Sequence, residues 1–129
     1  MKAPVAKRPV NRRSITTQWS RLPVEVGANV RLANSARQAF EQIASSRPDV
    51  LLSDLGMLGT DGYELLEQLR GEVGLSAESL PAAAVTGYGR PHDHARALQA
   101  GYQACIQKPI DKQQLIRTVL ALIGTRSPA

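Results

Sequence analysis

The chain has 129 residues, 43% of them hydrophobic and only 4% aromatic, with a formal net charge of +5. That length suits one domain with a single core of Leu, Val, Ile and Ala, and no apolar run approaches the roughly 20 residues that cross a bilayer. The single cysteine, Cys105, excludes an intramolecular disulfide and fits a reducing, cytoplasmic compartment.

The positive charge is local. Six basic residues (Lys2, Lys7, Arg8, Arg12, Arg13, Arg21) precede Pro23 and no acidic one does, whereas ten basic and eleven acidic residues follow. Residues 1–22 therefore read as a basic N-terminal arm and 23–124 as the domain. Such an arm could touch nucleic acid or an anionic surface. A solvated tail is favoured, because no nucleic-acid motif accompanies it, and Pro4 and Pro9 spoil the amphipathic helix of a transit peptide.

In chain order, residues 1–10 carry two prolines and no periodicity. Residues 11–22 are ambiguous: Ile15, Trp19 and Leu22 keep helical spacing, while Ile15 and the Thr pair suit a strand. Residues 29–33 alternate as a strand does. Ser35 with Gln38 forms a capping box, and Ala36, Ala39, Phe40 and Ile43 make one apolar helical face that Pro48 terminates. Val50 to Ser53 reads as a buried strand delivering Asp54, followed by a loop with Gly56, Gly59 and Gly62.

A helix from Tyr63 to Arg70 then turns Leu65, Leu66 and Leu69 inward. Residues 81–85 form a small-residue strand ending at Thr86-Gly87. Pro91 suits the first turn of a helix that Gly101 caps. Residues 104–107 form a short strand ending at Lys108-Pro109. Asp111 caps a last helix, with Gln114 completing a box and Ile110 stapling to Leu115; its buried face is Leu115, Val119 and Leu122. Strands alternating with helices imply a doubly wound, parallel α/β sheet, with its first strand unassigned.

Parallel strands put their carboxyl ends at one edge, where open α/β sheets bind ligands. Asp54, Thr86 and Lys108 should therefore converge. An ionised Asp54 can attack phosphorus to give an acyl phosphate. Lys108 would neutralise phosphoryl oxygens and Thr86 would donate to one. Amides at Gly56 and Gly87 can approach an oxyanion closely. Taken singly, a helix-capping Asp54, an ordinary strand Thr86 or a solvated Lys108 is each the simpler reading; the three at successive strand ends argue against coincidence.

From about Val30 to Ile123 the chain resembles a receiver domain of bacterial two-component response regulators. Residues 54–62, DLGMLGTDG, are similar to the phosphoacceptor loop, with Leu58 where proline is usual. Val85-Thr86-Gly87 resembles the switch-threonine strand, Lys108-Pro109 the lysine followed by a cis-proline, and ALQAG at 97–101 also fits. The resemblance implies a flavodoxin-like fold and phosphorylation of Asp54 by a histidine kinase or phosphotransfer protein. It also implies Mg²⁺ bound by Asp54 and the backbone at Gly56, inward movement of Thr86, and a relay face formed by 91–123. With nothing resembling an output domain after Ile123, signalling would pass by contact with another protein, with no membrane and no nucleic acid involved.

Two departures stand out. The family's first strand ends in an acidic pair that holds Mg²⁺, whereas here no Asp or Glu precedes Glu25, so the cation would bind weakly. Residues 13–19 could supply that strand, but too little chain then remains for a helical crossover before Asn29. Cys105 stands at the switch position, where an aromatic residue often rotates with the threonine; a small buried apolar role is favoured for it.

The chain is thus a degenerate receiver, a fragment of a longer protein, or one whose arm fills the gap. The alternative function is a non-phosphorylated pseudo-receiver acting as an interaction module. An enzyme reading, a phosphatase of the haloacid dehalogenase type, is disfavoured because Gly56 stands where that family needs its second Asp. His92 and His94 do not share a helical face and make a poor metal site.

Overall fold

The computed structural model describes residues 13–19, 27–58, 60–87 and 91–124, the last without the side chains of 91–93. The expected arm residues 1–12 and 20–22, Gly59 and the His92 side chain lie outside the described residues.

Five parallel strands form one sheet in the order β2-β1-β3-β4-β5: β1 Arg13–Thr17, β2 Ala28–Leu32, β3 Val50–Asp54, β4 Ala82–Thr86 and β5 Ala104–Gln107. Among the described residues five helices accompany it: α1 Ala36–Ser45, α2 Leu55–Leu58, α3 Thr60–Gly71, α4 Pro91–Ala100 and α5 Lys112–Gly124. The doubly wound arrangement expected from the alternation is present. One face of the sheet packs Leu51, Ala82 and Ala84 against Ala39 and Ile43 of α1, Leu65, Leu66 and Leu69 of α3, and Ala97 and Ala100 of α4. The other packs Ile15, Val50, Leu52, Val85 and Ile106 against Leu115, Val119, Leu122 and Ile123 of α5.

The principal correction concerns the first strand. Arg13–Thr17, placed within the arm by its basic composition, is an inner strand, paired with both β2 and β3. Its Ile15, Thr16 and Thr17 are each 0% exposed. The strand escapes an apolar-run search because two of its three buried residues are threonines. Their polar atoms are satisfied: Thr16 Oγ1 accepts from Arg31 Nη2 at 3.1 Å, and Thr17 Oγ1 accepts from the Trp19 N–H at 3.1 Å. β-Branched Thr suits a pleated strand, and a hydrogen-bonded hydroxyl can be buried at little cost.

The shortness of the link to β2 does not prevent parallel pairing, since Arg13 to Thr17 align with Ala28 to Leu32 in register. On the α5 side of the sheet, Val30 and Leu32 remain 41% and 47% exposed.

Helix boundaries follow local chemistry. At the start of α1, Ser35 Oγ accepts from the Gln38 N–H at 3.1 Å. The Gln38 side chain reaches back to the N–H of Asn34, one residue beyond the box position. The C-terminus of α4 closes as expected: Gly101 takes φ +115°, its N–H donates to Leu98 O, and the Tyr102 N–H donates to Ala97 O. Asp111 caps α5 by accepting from the Gln113 N–H at 3.1 Å.

The glycine loop expected after Asp54 is instead largely helical, with α2 starting at Leu55. Gly62 is buried inside α3, where a Cβ would run into the Leu55 side chain. It therefore serves close packing and makes no turn.

If β1 belongs to the core, Ile15→Ala should lower the unfolding free energy by about 2–5 kcal/mol in a urea titration, the range for a truncated core aliphatic. A residue on a solvated arm would change it by less than about 0.5 kcal/mol.

Candidate functional site

β3 is buried along its whole length and ends in Asp54, whose side chain is 4% exposed. A carboxylate so placed needs partners, and the neighbouring chain ends supply them. Lys108, one residue past β5, brings Nζ to 3.1 Å from Asp54 Oδ1, and the Gly56 N–H donates to the same oxygen at 3.0 Å. Glycine suits this geometry, because a Cβ at Gly56 would lie 3.2 Å from both Asp54 Oδ1 and Lys108 Nζ, a tight contact that would press on the pair. The Lys108–Pro109 peptide is cis. The Lys108 side chain is 39% exposed, so the pair stands at the rim of the sheet with its cationic end open to solvent.

Thr86 ends β4, next to β3, and is 4% exposed. Its carbonyl accepts from the Lys108 N–H at 2.8 Å, which ties the two expected site residues through the backbone. Its hydroxyl stands 3.8 Å from Cys105 Sγ. Cys105, expected at the switch position, is thus in contact with the threonine through its sulfur. Gly87 is half-buried, and a Cβ there would meet nothing within 4 Å, so no steric need for glycine exists at that position.

The residue that sequence reasoning missed is Gln18. Following β1 directly, it is 6% exposed, and its Oε1 accepts from the Asp54 N–H at 3.1 Å. The signal available was a polar residue immediately after a β-branched strand, but with β1 unassigned it pointed nowhere.

The expected Mg²⁺ can be tested against this donor set. Among the described residues Asp54 is the sole carboxylate of the set, and its Oδ1 is already engaged by an ammonium and an amide N–H. At Gly56 the N–H is spent on Asp54 Oδ1, so the backbone there could offer a cation only its neutral carbonyl. The end of β1 carries neutral Thr17 and Gln18, and Gln18 Nε2 is buried without a hydrogen-bond partner among the described residues. Among the described residues, no group of three or more His, Cys, Asp or Glu could hold a metal ion. Each carboxylate missing at about 4 Å from a unit charge forgoes about 4 kcal/mol at an effective dielectric constant of about 20. These residues do not fit a divalent cation.

The family model described as the response regulator receiver domain matches residues 8–120. An uncharacterised 14.6 kDa protein of Leptolyngbya boryana is 39% identical over 93 residues, which is 72% of this chain and 70% of that one. The sensor histidine kinase RcsC of Escherichia coli K12 is 30% identical over 122 residues, 95% of this chain but 12% of the kinase. The response regulator MprA of Mycobacterium tuberculosis is 32% identical over 102 residues, 79% of this chain and 43% of MprA. Among solved structures, the Francisella response regulator 1452 receiver domain superposes with a TM-score of 0.71 at 19% identity, over 87% of this chain and 97% of that one. The receiver domain of a DNA-binding response regulator from Colwellia psychrerythraea gives 0.70 at 20% identity, over 88% and 99%. These two likenesses carry the fold alone.

Removing one member of the Asp54–Lys108 pair exposes its electrostatic role. Lys108→Ala should lower stability by about 1–2 kcal/mol, discounted for the exposed ammonium, because Asp54 is left buried without its counter-charge. Adding Asp54→Asn to that variant should restore part of the loss. Urea titrations of the four proteins of the cycle measure the coupling.

Proposed function

The chain belongs to the response regulator receiver domain family, the receiver module of two-component signalling, and from that premise we propose that it accepts a phosphoryl group on Asp54. The donor would be the phosphohistidine of a histidine kinase or phosphotransfer protein. The observation that carries this reading is the Asp54 carboxylate at the sheet edge with Lys108 Nζ at 3.1 Å. An Asp54 oxygen attacks phosphorus, the new P–O bond forms as the P–N bond breaks, and the nitrogen lone pair returns to the imidazole. Lys108 neutralises charge on the phosphoryl oxygens, and the Gly56 N–H is placed on the same side of the carboxylate.

The added group competes for donors already in use. Lys108 shifts from carboxylate to phosphoryl oxygen, and the Thr86 hydroxyl leaves Cys105 to reach it. Because the Lys108 N–H is bonded to Thr86 O, both movements bear on β5 and so on the 91–123 face. That face is the proposed output surface, toward a protein partner. Substrate turnover is not part of this reading, since the position two residues after Asp54 is Gly56, which offers no acid or base. Among the described residues no helix is long and apolar enough to cross a membrane.

A second reading is favoured by one observation, the neutral Thr17 and Gln18 at the end of β1. A receiver of this kind would signal by binding its partner, without phosphoryl transfer.

Incubation with phosphoramidate, a small donor with a P–N bond, should add one phosphoryl group by intact mass, absent in Asp54→Ala. A folded wild-type protein that gains no mass, either from this donor or from a phosphorylated phosphotransfer protein, would leave the binding-only reading standing.

A further inference from the structure

A divalent cation at a carboxylate is held by the anionic charge and free lone pairs gathered around it. The end of β1 is the element beside Asp54, and its contribution is set by Gln18. The Asp54 N–H can only donate to an oxygen, so this bond fixes the orientation of the Gln18 amide: Oε1 faces the backbone of Asp54 at 3.1 Å, and Nε2 is the other branch. Nε2 is buried and, among the described residues, has no hydrogen-bond partner. The amide thus spends its oxygen on the acceptor's own backbone and keeps two N–H donors beside it, a group that repels a cation. The carboxylate charge is meanwhile balanced by Lys108 at 3.1 Å, which leaves the cluster of described residues near neutrality, with no anionic excess among them to attract a second cation.

We infer that Gln18 has taken the place of a cation ligand in this chain. It is a positioning residue that fixes the Asp54 backbone, and Lys108 carries the counter-charge that a divalent ion would otherwise supply, so the Asp54 site operates without one. The inference rests on the reading of Asp54 as the functional carboxylate, and it holds whether that carboxylate accepts a phosphoryl group or serves a binding site.

The adjacent Trp19 is the chain's one tryptophan and reports on this position by fluorescence. Full-length wild type, Asp54→Asn, Gln18→Asp and the Gln18→Asp/Asp54→Asn double variant are titrated with Mg²⁺ against a matched ionic-strength control. A parallel Mn²⁺ titration counts the free ion by electron paramagnetic resonance. Wild type and Asp54→Asn should give the same unsaturating response. Gln18→Asp, which places a second carboxylate beside the first, should gain a saturable site at least about tenfold tighter than any wild-type binding, lost again in the double variant. Gln18→Glu is the second variant should Gln18→Asp not fold, and a Mg²⁺-dependent rise in melting temperature reads the same gain.

Saturable Mg²⁺ binding to wild type that Asp54→Asn removes would overturn the inference. So would folded Gln18→Asp and Gln18→Glu proteins that take up no cation. Neither result depends on phosphoryl transfer. A protein that gains a phosphoryl group and also binds Mg²⁺ at Asp54 would keep the proposed function and lose this inference, and one that does neither would keep the inference and lose phosphoacceptance.

Discussion

A carboxylate left 4% exposed at the end of a wholly buried strand sets the terms for everything around it. An ionised group there must be matched by charge and hydrogen bonds, or the fold loses several kcal/mol to its desolvation. Three chain segments meet that demand from different directions. β5 ends one residue before Lys108, α2 opens so that the Gly56 N–H returns to Oδ1, and β1 ends one residue before Gln18, which holds the Asp54 N–H. The register of the sheet makes this possible, since β3 has β1 on one side and β4 on the other, and β5 lies beyond β4. The site is a product of strand order before it is a product of any one motif.

How much of this could be read from the chain depended on whether burial was achieved with apolar residues. β3 and β4 show themselves as Val-Leu-Leu and Ala-Ala-Ala-Val, with Asp54 and Thr86 marking their ends. The helical faces of α1, α3 and α5 follow from spacing, and the caps at Ser35, Gly101 and Asp111 follow from side-chain chemistry. β1 is the exception. Arg13–Thr17 carries one apolar residue, and its burial depends on hydroxyls satisfied by Arg31 and by the Trp19 N–H, partners far from obvious in sequence. Misassigning that strand hid the role of Gln18, because a residue cannot be placed beside Asp54 until the strand that delivers it is known. The helical start at Leu55 was hidden by a similar ambiguity: Gly62 reads as a turn residue, yet serves as a packing residue against Leu55.

The segment after Asp54 also ties the sheet edge to the helices. Gly62 O accepts a hydrogen bond from the Tyr102 hydroxyl at 2.7 Å, and burial raises the pKa of that hydroxyl well above the ordinary phenol range, so it remains a donor at all working pH values. Tyr102 lies two residues past the end of α4. Arg96 on α4 stacks over the Tyr63 ring at 4.6 Å and pairs with Glu67 at 3.3 Å, which joins α4 to α3 at their exposed sides. Arg70 closes the opposite end, donating to the carbonyls of Leu75, Ser76, Leu80 and Gly101. α3 and α4 are therefore held to one another at two places, whereas among the described residues the Thr86 hydroxyl makes the long contact with Cys105.

Fold and site chemistry consequently come apart in this chain. The sheet order, the cis Lys108–Pro109 peptide and the carboxylate–ammonium pair at the strand ends agree with the receiver family, while the electrostatics at the end of β1 do not. A parallel sheet tolerates this exchange because its stability comes from the buried faces of the strands, which Ile15, Val50, Leu52 and Val85 fill whatever lies at the edge. The edge is free to change its charge as long as Asp54 keeps its partners. Gln18 and Lys108 satisfy that condition with hydrogen bonds and one counter-charge, and a cation is the partner they make unnecessary.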